Sequence, residues 1–206
     1  MIKNIDNAKI ERAFRGKASS HSYSGATITN VHNKIKDNWS NKGQCYSAIL
    51  IHAGTNDLVR EEPEVVANNL DNFIKDIKVH SEKISISSVI ERHDGLVPPE
   101  RITTFNKLAR DLSVKHDVDF VDNIHINKSF LNSSNLHLNN KGDKALGKAF
   151  CTYLKSLRQK NNIAINSFSN TNESFLFHPH YTRKRPVPVD NNWTRYLNYV
   201  YHATRM

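Results

Sequence analysis

Short apolar runs alternate with longer segments of helical periodicity from residue 17 to residue 157, and this alternation restricts the fold more than any other feature of the sequence. Ala48-Ile49-Leu50-Ile51 is too brief for a stable helix and runs into a turn, Gly54-Thr55-Asn56-Asp57, as a buried strand entering a loop does. Ile84 and Ile86 alternate with serines and lead to Val89-Ile90, and Phe120-Val121 forms a shorter run. Between these lie segments of helical spacing. Ile28, Val31 and Ile35 mark one. Val66, Leu70, Phe73, Ile74 and Ile77 mark a second, with Pro63 in its first turn where a missing N–H costs nothing. Ile102, Phe105, Leu108 and Leu112 follow Pro98-Pro99, and Leu146, Ala149, Phe150, Tyr153, Leu154 and Leu157 form the last. Strands are expected over 17–23, 47–53, 84–90 and around 120–121. A helix is expected over 1–14, with Ile2, Ile5, Ala13 and Phe14 on its apolar side. Strands joined through helices cannot pair as hairpins, so the pattern predicts an α/β fold with a parallel sheet covered on both faces.

The pattern ends near residue 158, which predicts a domain over 1–158 and a tail over 159–206. The tail is rich in Asn and Ser, carries three prolines, and includes the basic run Arg183-Lys184-Arg185. It is expected to be largely disordered, because such a composition buries too little apolar surface. Trp193, Tyr196, Leu197, Tyr199, Val200 and Tyr201 suggest a short docking helix at its end. The formal net charge of +9 permits association with nucleic acid or acidic surfaces without specifying either. Cys45 and Cys151 are far apart and in no metal-binding pattern, as expected of thiols in a reducing compartment. No apolar stretch approaches the length of a membrane span, and the N-terminus lacks the apolar core of a signal peptide. The expectation is an intracellular, cytoplasmic protein with no membrane contact, no metal and no cofactor. His178 and His180 in FHPHY have no metal-ligand company.

Three blocks carry chemistry: Ser24-Gly25-Ala26-Thr27, Gly54-Thr55-Asn56-Asp57, and Leu136-His137-Leu138-Asn139 followed by Lys141-Gly142. Each lies just past an expected strand or just before an expected helix, and in a parallel sheet such positions meet on one rim. Acyl transfer needs hydrogen-bond donors aimed at an oxyanion and a base for a hydroxyl proton. The Gly25 N–H and the Asn56 side-chain amide are donors of the right type, and His137 titrates in the right range for the base. Taken singly, Gly25 reads as a turn glycine, Asn56-Asp57 as a helix cap, and His137 as an ordinary histidine. Their combination at element boundaries favours a site. Asp57 is assigned to holding its loop, and His52 to a polar contact made from the strand.

GTND, LHLNNKG and the upstream SGAT together resemble the SGNH (GDSL-type) hydrolases, and most closely the esterase-like domains of some animal retroelement proteins. The resemblance spans residues 1 to about 158. It implies a flavodoxin-like three-layer α/β/α fold, with Gly25 and Asn56 in the oxyanion hole and His137 as general base. The family often has an acid three residues before the histidine; here that position is Ser134, which can orient the imidazole without the charge of a carboxylate. The family's nucleophile lies in a Gly-Asp-Ser block after the first strand, and the 206 residues contain no Gly-Asp-Ser. Met1 to Asp6 resembles the family's segment just C-terminal to that block. The resemblance therefore predicts a domain lacking its first strand, in which the family's nucleophile position would fall just upstream of Met1; sequence encoding Gly-Asp-Ser there would favour the enzyme, and a stop codon or unrelated sequence the inactive descendant. The missing strand would sit between the strands at 17–23 and 47–53. Its absence predicts either a gap in the sheet or a shift of the first helix and strand to close it, and marginal stability.

Two functions are compatible with these features. One is a serine esterase or acyl-hydrolase domain acting on a small ester or acyl substrate, inactive without its nucleophile block. The alternative is a non-catalytic, retroelement-derived binding or scaffolding domain, contacting nucleic acid through Lys34, Lys36, Lys75, Lys78 and the Arg183-Lys184-Arg185 run. No glycine-rich phosphate loop supports a cofactor-binding reading.

Overall fold

The structure, a computed structural model, describes residues 7–19, 23–40, 46–81, 83–169 and 200–205. Five helices, α1 (Asn7–Phe14), α2 (Ile28–Ser40), α3 (Pro63–Ile77), α4 (Pro99–His116) and α5 (Asn140–Ser169), accompany five strands, β1 (Gly16–Ser19), β2 (Ala48–Ile51), β3 (Ile84–Ser87), β4 (Asp119–Val121) and β5 (Val200–Arg205). The strands form one sheet in the order β1-β5-β2-β3-β4. The β2–β3 and β3–β4 pairs are parallel, while β5 runs antiparallel to both β1 and β2. α1 and α5 pack together, and α2, α3 and α4 form a second group. Every residue of β2 and β3 is buried, as required of strands with helices on both faces.

Local chemistry places the elements. Thr27 caps α2: its hydroxyl accepts from Asn30 N, while Asn30 Oδ1 accepts from Thr27 N, both at 3.2 Å. This is a capping box with Asn as the return partner. Pro63 and Pro99 open α3 and α4. α4 stops where Asp117 turns left-handed at φ 51° and its N–H bonds back to Ser113 and Val114. Asn139 caps α5, its Oδ1 accepting from Lys141 N at 2.9 Å and Gly142 N at 3.0 Å. The core gathers Ile28, Val31 and Ile35, the apolar side of α3, and Leu146, Phe150, Leu154 and Leu157 of α5. Ile10, Ala13 and Phe14 bury the inner face of α1.

A buried carboxylate ties α3 to α4. Asp71 accepts from Lys115 at 2.8 Å and His116 at 2.7 Å, and pairs with Lys75 one turn along its own helix. Burial pushes this carboxyl up, but the three donors outweigh it and hold it well below the usual carboxylate range.

Two expectations fare differently in the structure, and others fall outside the described residues. The last helix continues beyond 158 to Ser169. Residues 170–199, most of the expected disordered tail, and Cys45, His178 and His180 lie outside the described residues. At the end of the chain, where a docking helix was expected to reach Tyr201, residues 200–205 form a strand instead. The physical reason lies in the sheet. β5 occupies the slot between β1 and β2, with Ala203 opposite Ala18 on one side and Ala48 on the other. An extended β5 pairs two strand edges at once, whereas a helix there would leave both edges without backbone partners. The anticipated gap is not seen among the described strands, since β5 lies between β1 and β2.

Ala203→Pro should therefore destabilise the fold, because a central strand cannot spare a backbone donor. An orphaned acceptor costs about 1–3 kcal/mol. Thermal melting should fall by about 3–10 °C relative to Ala203→Ser. Equal melting of the two variants would show that β5 contributes little to the sheet.

Candidate functional site

The loops after β1 and β2 come from strands separated by β5, yet they are locked to one another. Asp57 lies at the start of a 3-10 turn, Asp57–Val59, and is buried. Both its carboxylate oxygens accept from Ile28 N at the start of α2, at 3.0 and 3.1 Å. The carboxylate thus caps α2 from another loop, where the helix dipole favours negative charge. The next residue back completes the lock: Asn56 Nδ2 donates to Ala26 O at 2.9 Å. Burial pushes the Asp57 carboxyl up to about 6, with the Ile28 N–H opposing the shift.

Two glycines are required here. Gly25 has φ +70°, a left-handed backbone that L side chains adopt at a cost. Gly54 has φ +121°, and a Cβ there would stand 2.7 Å from the Phe105 ring. The turn after β2 can therefore approach α4 only with glycine at this position.

His137 reaches the site from the other side. Residues 131–138 fold back on themselves through a Leu131–Leu138 bridge and an Asn132 N–H to His137 O bond of 2.8 Å. Asn135 turns this segment at φ 55°. Asn139 anchors its base by donating to Leu131 O at 2.8 Å and Ser129 O at 3.1 Å. A second loop braces the tip, where His93 N donates to Asn135 O at 2.8 Å. That loop carries Arg92, buried and doubly bonded to Asp94, with a further weak bond to Thr55 O at 3.4 Å. Burial lowers the His137 pKa, the Arg92 charge lowers it further, and Asp94 opposes both.

A polar network lies under the site. His52 is buried, with Nδ1 3.0 Å from Ser87 Oγ and its ring edge-on to Phe150. Asn123 Nδ2 donates to Ser87 Oγ and to Ser88 O, both at 2.7 Å, and Asn123 N donates to Ser88 Oγ at 2.8 Å. Burial pushes the His52 pKa down to about 4, so this imidazole is neutral across the physiological range.

Gly25, Asn56 and His137 all line one cavity of about 280 Å³, floored by His52 and walled by Ile90 and Leu131. Its lining comes from the segments that follow β1, β2, β3 and β4, the carboxyl-terminal rim of the parallel strands. Ser24, Thr55 and Tyr23 also line it. Ser134 serves a turn: its hydroxyl donates to Asn132 Oδ1 at 2.6 Å and accepts weakly from Leu136 N at 3.4 Å. Sequence patterns do not single out Arg92, Asp94, Ser87 or Asn123. Only the serines of the ISIS strand give a signal, and their alternation suggests a half-exposed strand rather than a buried polar network. Among the described residues, no group of three His, Cys, Asp or Glu is placed to hold a metal, and no helix is long and apolar enough to cross a membrane.

No protein-family model matches the chain, and no curated protein matches it. Solved structures do. A lipase/acylhydrolase from Enterococcus faecalis superposes with a TM-score of 0.56 at 20% identity, covering 64% of this chain and 72% of that one. A GDSL-like lipase from Bacteroides thetaiotaomicron gives 0.55 at 14% identity over 65% and 73%. An acetyl xylan esterase gives 0.54 at 13% identity over 64% and 77%. The fold, an α/β sandwich around a sheet in which β2, β3 and β4 are parallel, matches that of SGNH-type lipases and acylhydrolases.

The buried Asp57 carboxyl makes a signed prediction. Its pKa rises from 3.8 to about 6 on folding, so the fold holds this proton more tightly than the unfolded chain does. The stability it contributes is complete below about pH 4 and is lost as pH rises through about 6, on the order of 3 kcal/mol. Asp57→Asn keeps a side-chain acceptor for Ile28 N but removes the titration. The stability of Asp57→Asn relative to wild type, read from urea midpoints, should therefore rise between pH 4 and pH 7. A constant difference across that range would contradict a buried, titrating carboxyl.

Proposed function

We propose that the chain is an SGNH-type ester- or acyl-binding domain. In this reading the Gly25 N–H and the Asn56 amide form the oxyanion-binding wall, and His137 is the general base. The observation that carries it is the single cavity that joins the three sequence blocks at the rim of the sheet. Asn56 has two amide hydrogens. One holds Ala26 O, and the second supplies the donor that a developing oxyanion needs. The lowered pKa of His137 leaves the imidazole neutral near pH 7 and able to accept a hydroxyl proton. Asp94 is the carboxylate that favours its protonated form, in the place of an acid at position 134. The likeness of GTND and LHLNNKG to the esterase-like domains of retroelement proteins supports placing the chain among them, in the cytoplasm.

These 206 residues contain no Gly-Asp-Ser, and we propose that by themselves they bind an acyl group without turning it over. Hydrolysis of p-nitrophenyl acetate should be the same for wild type and His137→Ala, and a fluorophosphonate probe should leave the intact mass unchanged. A phosphonate adduct on Ser24, which lines the cavity, would overturn the inactive reading and make that residue the nucleophile. Binding separates this domain from a scaffold with no acyl site. An acyl phosphonate should perturb the His137 imidazole resonances, and Asn56→Ala should weaken that binding about tenfold, the loss of one hydrogen bond to a charged acceptor. If no ligand of this class perturbs His137, the non-catalytic binding or scaffolding reading takes its place.

A further inference from the structure

The lysines that first suggest a basic contact surface are engaged within the protein. Lys36 bonds Asp76 at 3.2 Å, Lys75 pairs with Asp71, Lys78 donates to His116 O at 2.7 Å, and Lys34 sits 4.8 Å over the Tyr23 ring. A different set of cations gathers elsewhere. α1 and α5 enclose a cleft of about 690 Å³ whose described lining residues include Lys9, Arg12, Lys144, Lys148 and Lys155, all exposed, against one carboxylate among them, Asp143. The three lysines of α5, with Cys151 among them, follow the spacing i, i+4, i+7, i+11, which puts them on one stripe of the helix. The stripe runs about 16 Å from Lys144 to Lys155 at 1.5 Å per residue. Lys9 and Arg12, one turn apart on α1, form the facing wall.

We infer that the α1–α5 cleft binds the phosphate backbone of a nucleic-acid strand. The inference is independent of the acyl-binding reading of the rim cavity, and each can fail without the other. Four of the five cations are lysines, which act as point charges toward phosphate rather than as planar forks fitted to a carboxylate. The charges form a line, which suits a ligand whose charges are themselves strung along a chain. The surface is concave, so a flexible strand can enter it where a flat bilayer cannot match the curvature. Ala13 and Gly147 are small residues of the cleft, and no aromatic ring is among its described lining residues. Bases therefore have nothing to stack on, and recognition rests on the backbone without regard to sequence.

The test is anisotropy of a fluorescent single strand of about twelve nucleotides, within the usual site size for such grooves, titrated over a range of salt. Lys144→Glu/Lys148→Glu/Lys155→Glu should weaken binding more than tenfold at low salt and reduce the slope of log K against log salt by about 2, at about 0.7 for each phosphate no longer neutralised. A control with the same change in net charge, Lys83→Glu/Lys107→Glu/Lys128→Glu, should lose much less. Circular dichroism melts of both variants should match wild type, since all six lysines are exposed. The inference is overturned if the cleft variant binds like wild type, which would move the binding surface to another basic segment. Equal losses in both variants would overturn it too, leaving net charge as the whole effect. So would competition by a polyglutamate peptide, by tripolyphosphate or by anionic phosphatidylserine vesicles as strong as that of the unlabelled strand, each of which points to a different ligand.

Discussion

The Asp57 carboxylate is the joint on which the rim of this fold depends. It is buried, it comes from the turn after β2, and it accepts the first N–H of α2 with both oxygens. Without it, the SGAT and GTND segments would be two loops leaving strands that do not touch, since β5 lies between β1 and β2. With it, the start of α2 is fixed relative to the turn, and Asn56 falls within reach of Ala26 O. The same contact satisfies a helix N-terminus that would otherwise need a local cap on that N–H. One charged side chain therefore does two things that the sequence keeps well apart: it stabilises a helix and it sets the distance between two walls of a cavity. Its cost is visible in the carboxyl's raised pKa, since burial disfavours the charge that makes the cap strong.

The sheet shows a second economy. Its parallel strands need helical crossovers, and α2, α3 and α4 supply these between β1, β2, β3 and β4. The slot between β1 and β2 is filled by the end of the chain running the other way. Antiparallel insertion is compatible with the slot because pairing requires only alternating donors and acceptors, which either strand direction offers. β5 also joins the first described strand to the rest of the sheet, so the place of β1 in the sheet depends on β5, while α1 is held against α5.

Much of this architecture is legible in the sequence. The βα alternation, the apolar faces of α2, α3 and α5, and the helix starts at Pro63 and Pro99 are written in local patterns, and each element forms where its pattern lies. The three chemical blocks are legible for the same reason: turns and caps use residues with fixed local preferences. What stays hidden is long-range. Nothing near Val200 distinguishes a short amphipathic helix from a strand, because short apolar runs fit either, and the deciding fact is an unpaired sheet edge far away in the chain. Arg92 and Asp94 look like ordinary surface charges until the 91–96 loop meets the 131–138 segment. Ser87 reads as the polar side of a half-exposed strand, and only burial on both faces turns it into a partner for His52 and Asn123.

The electrostatics of His137 arise from that last kind of long-range docking. Its own loop offers only a neutral hydroxyl at position 134, and that hydroxyl is used in a turn with Asn132. Among the charges that act on the imidazole is a tightly bonded pair of opposite sign from a neighbouring loop, Arg92 and Asp94. A carboxylate held by its own guanidinium is a weaker stabiliser of an imidazolium than a bare one, because the two fields partly cancel at a distance. Burial adds to the same side as Arg92, so the net effect is an imidazole held neutral. The backbone bond from His93 N to Asn135 O fixes how close that pair comes. Burial and long-range charge, Arg92 and Asp94 of the docked loop included, therefore act on His137, rather than only the block of sequence in which the histidine lies.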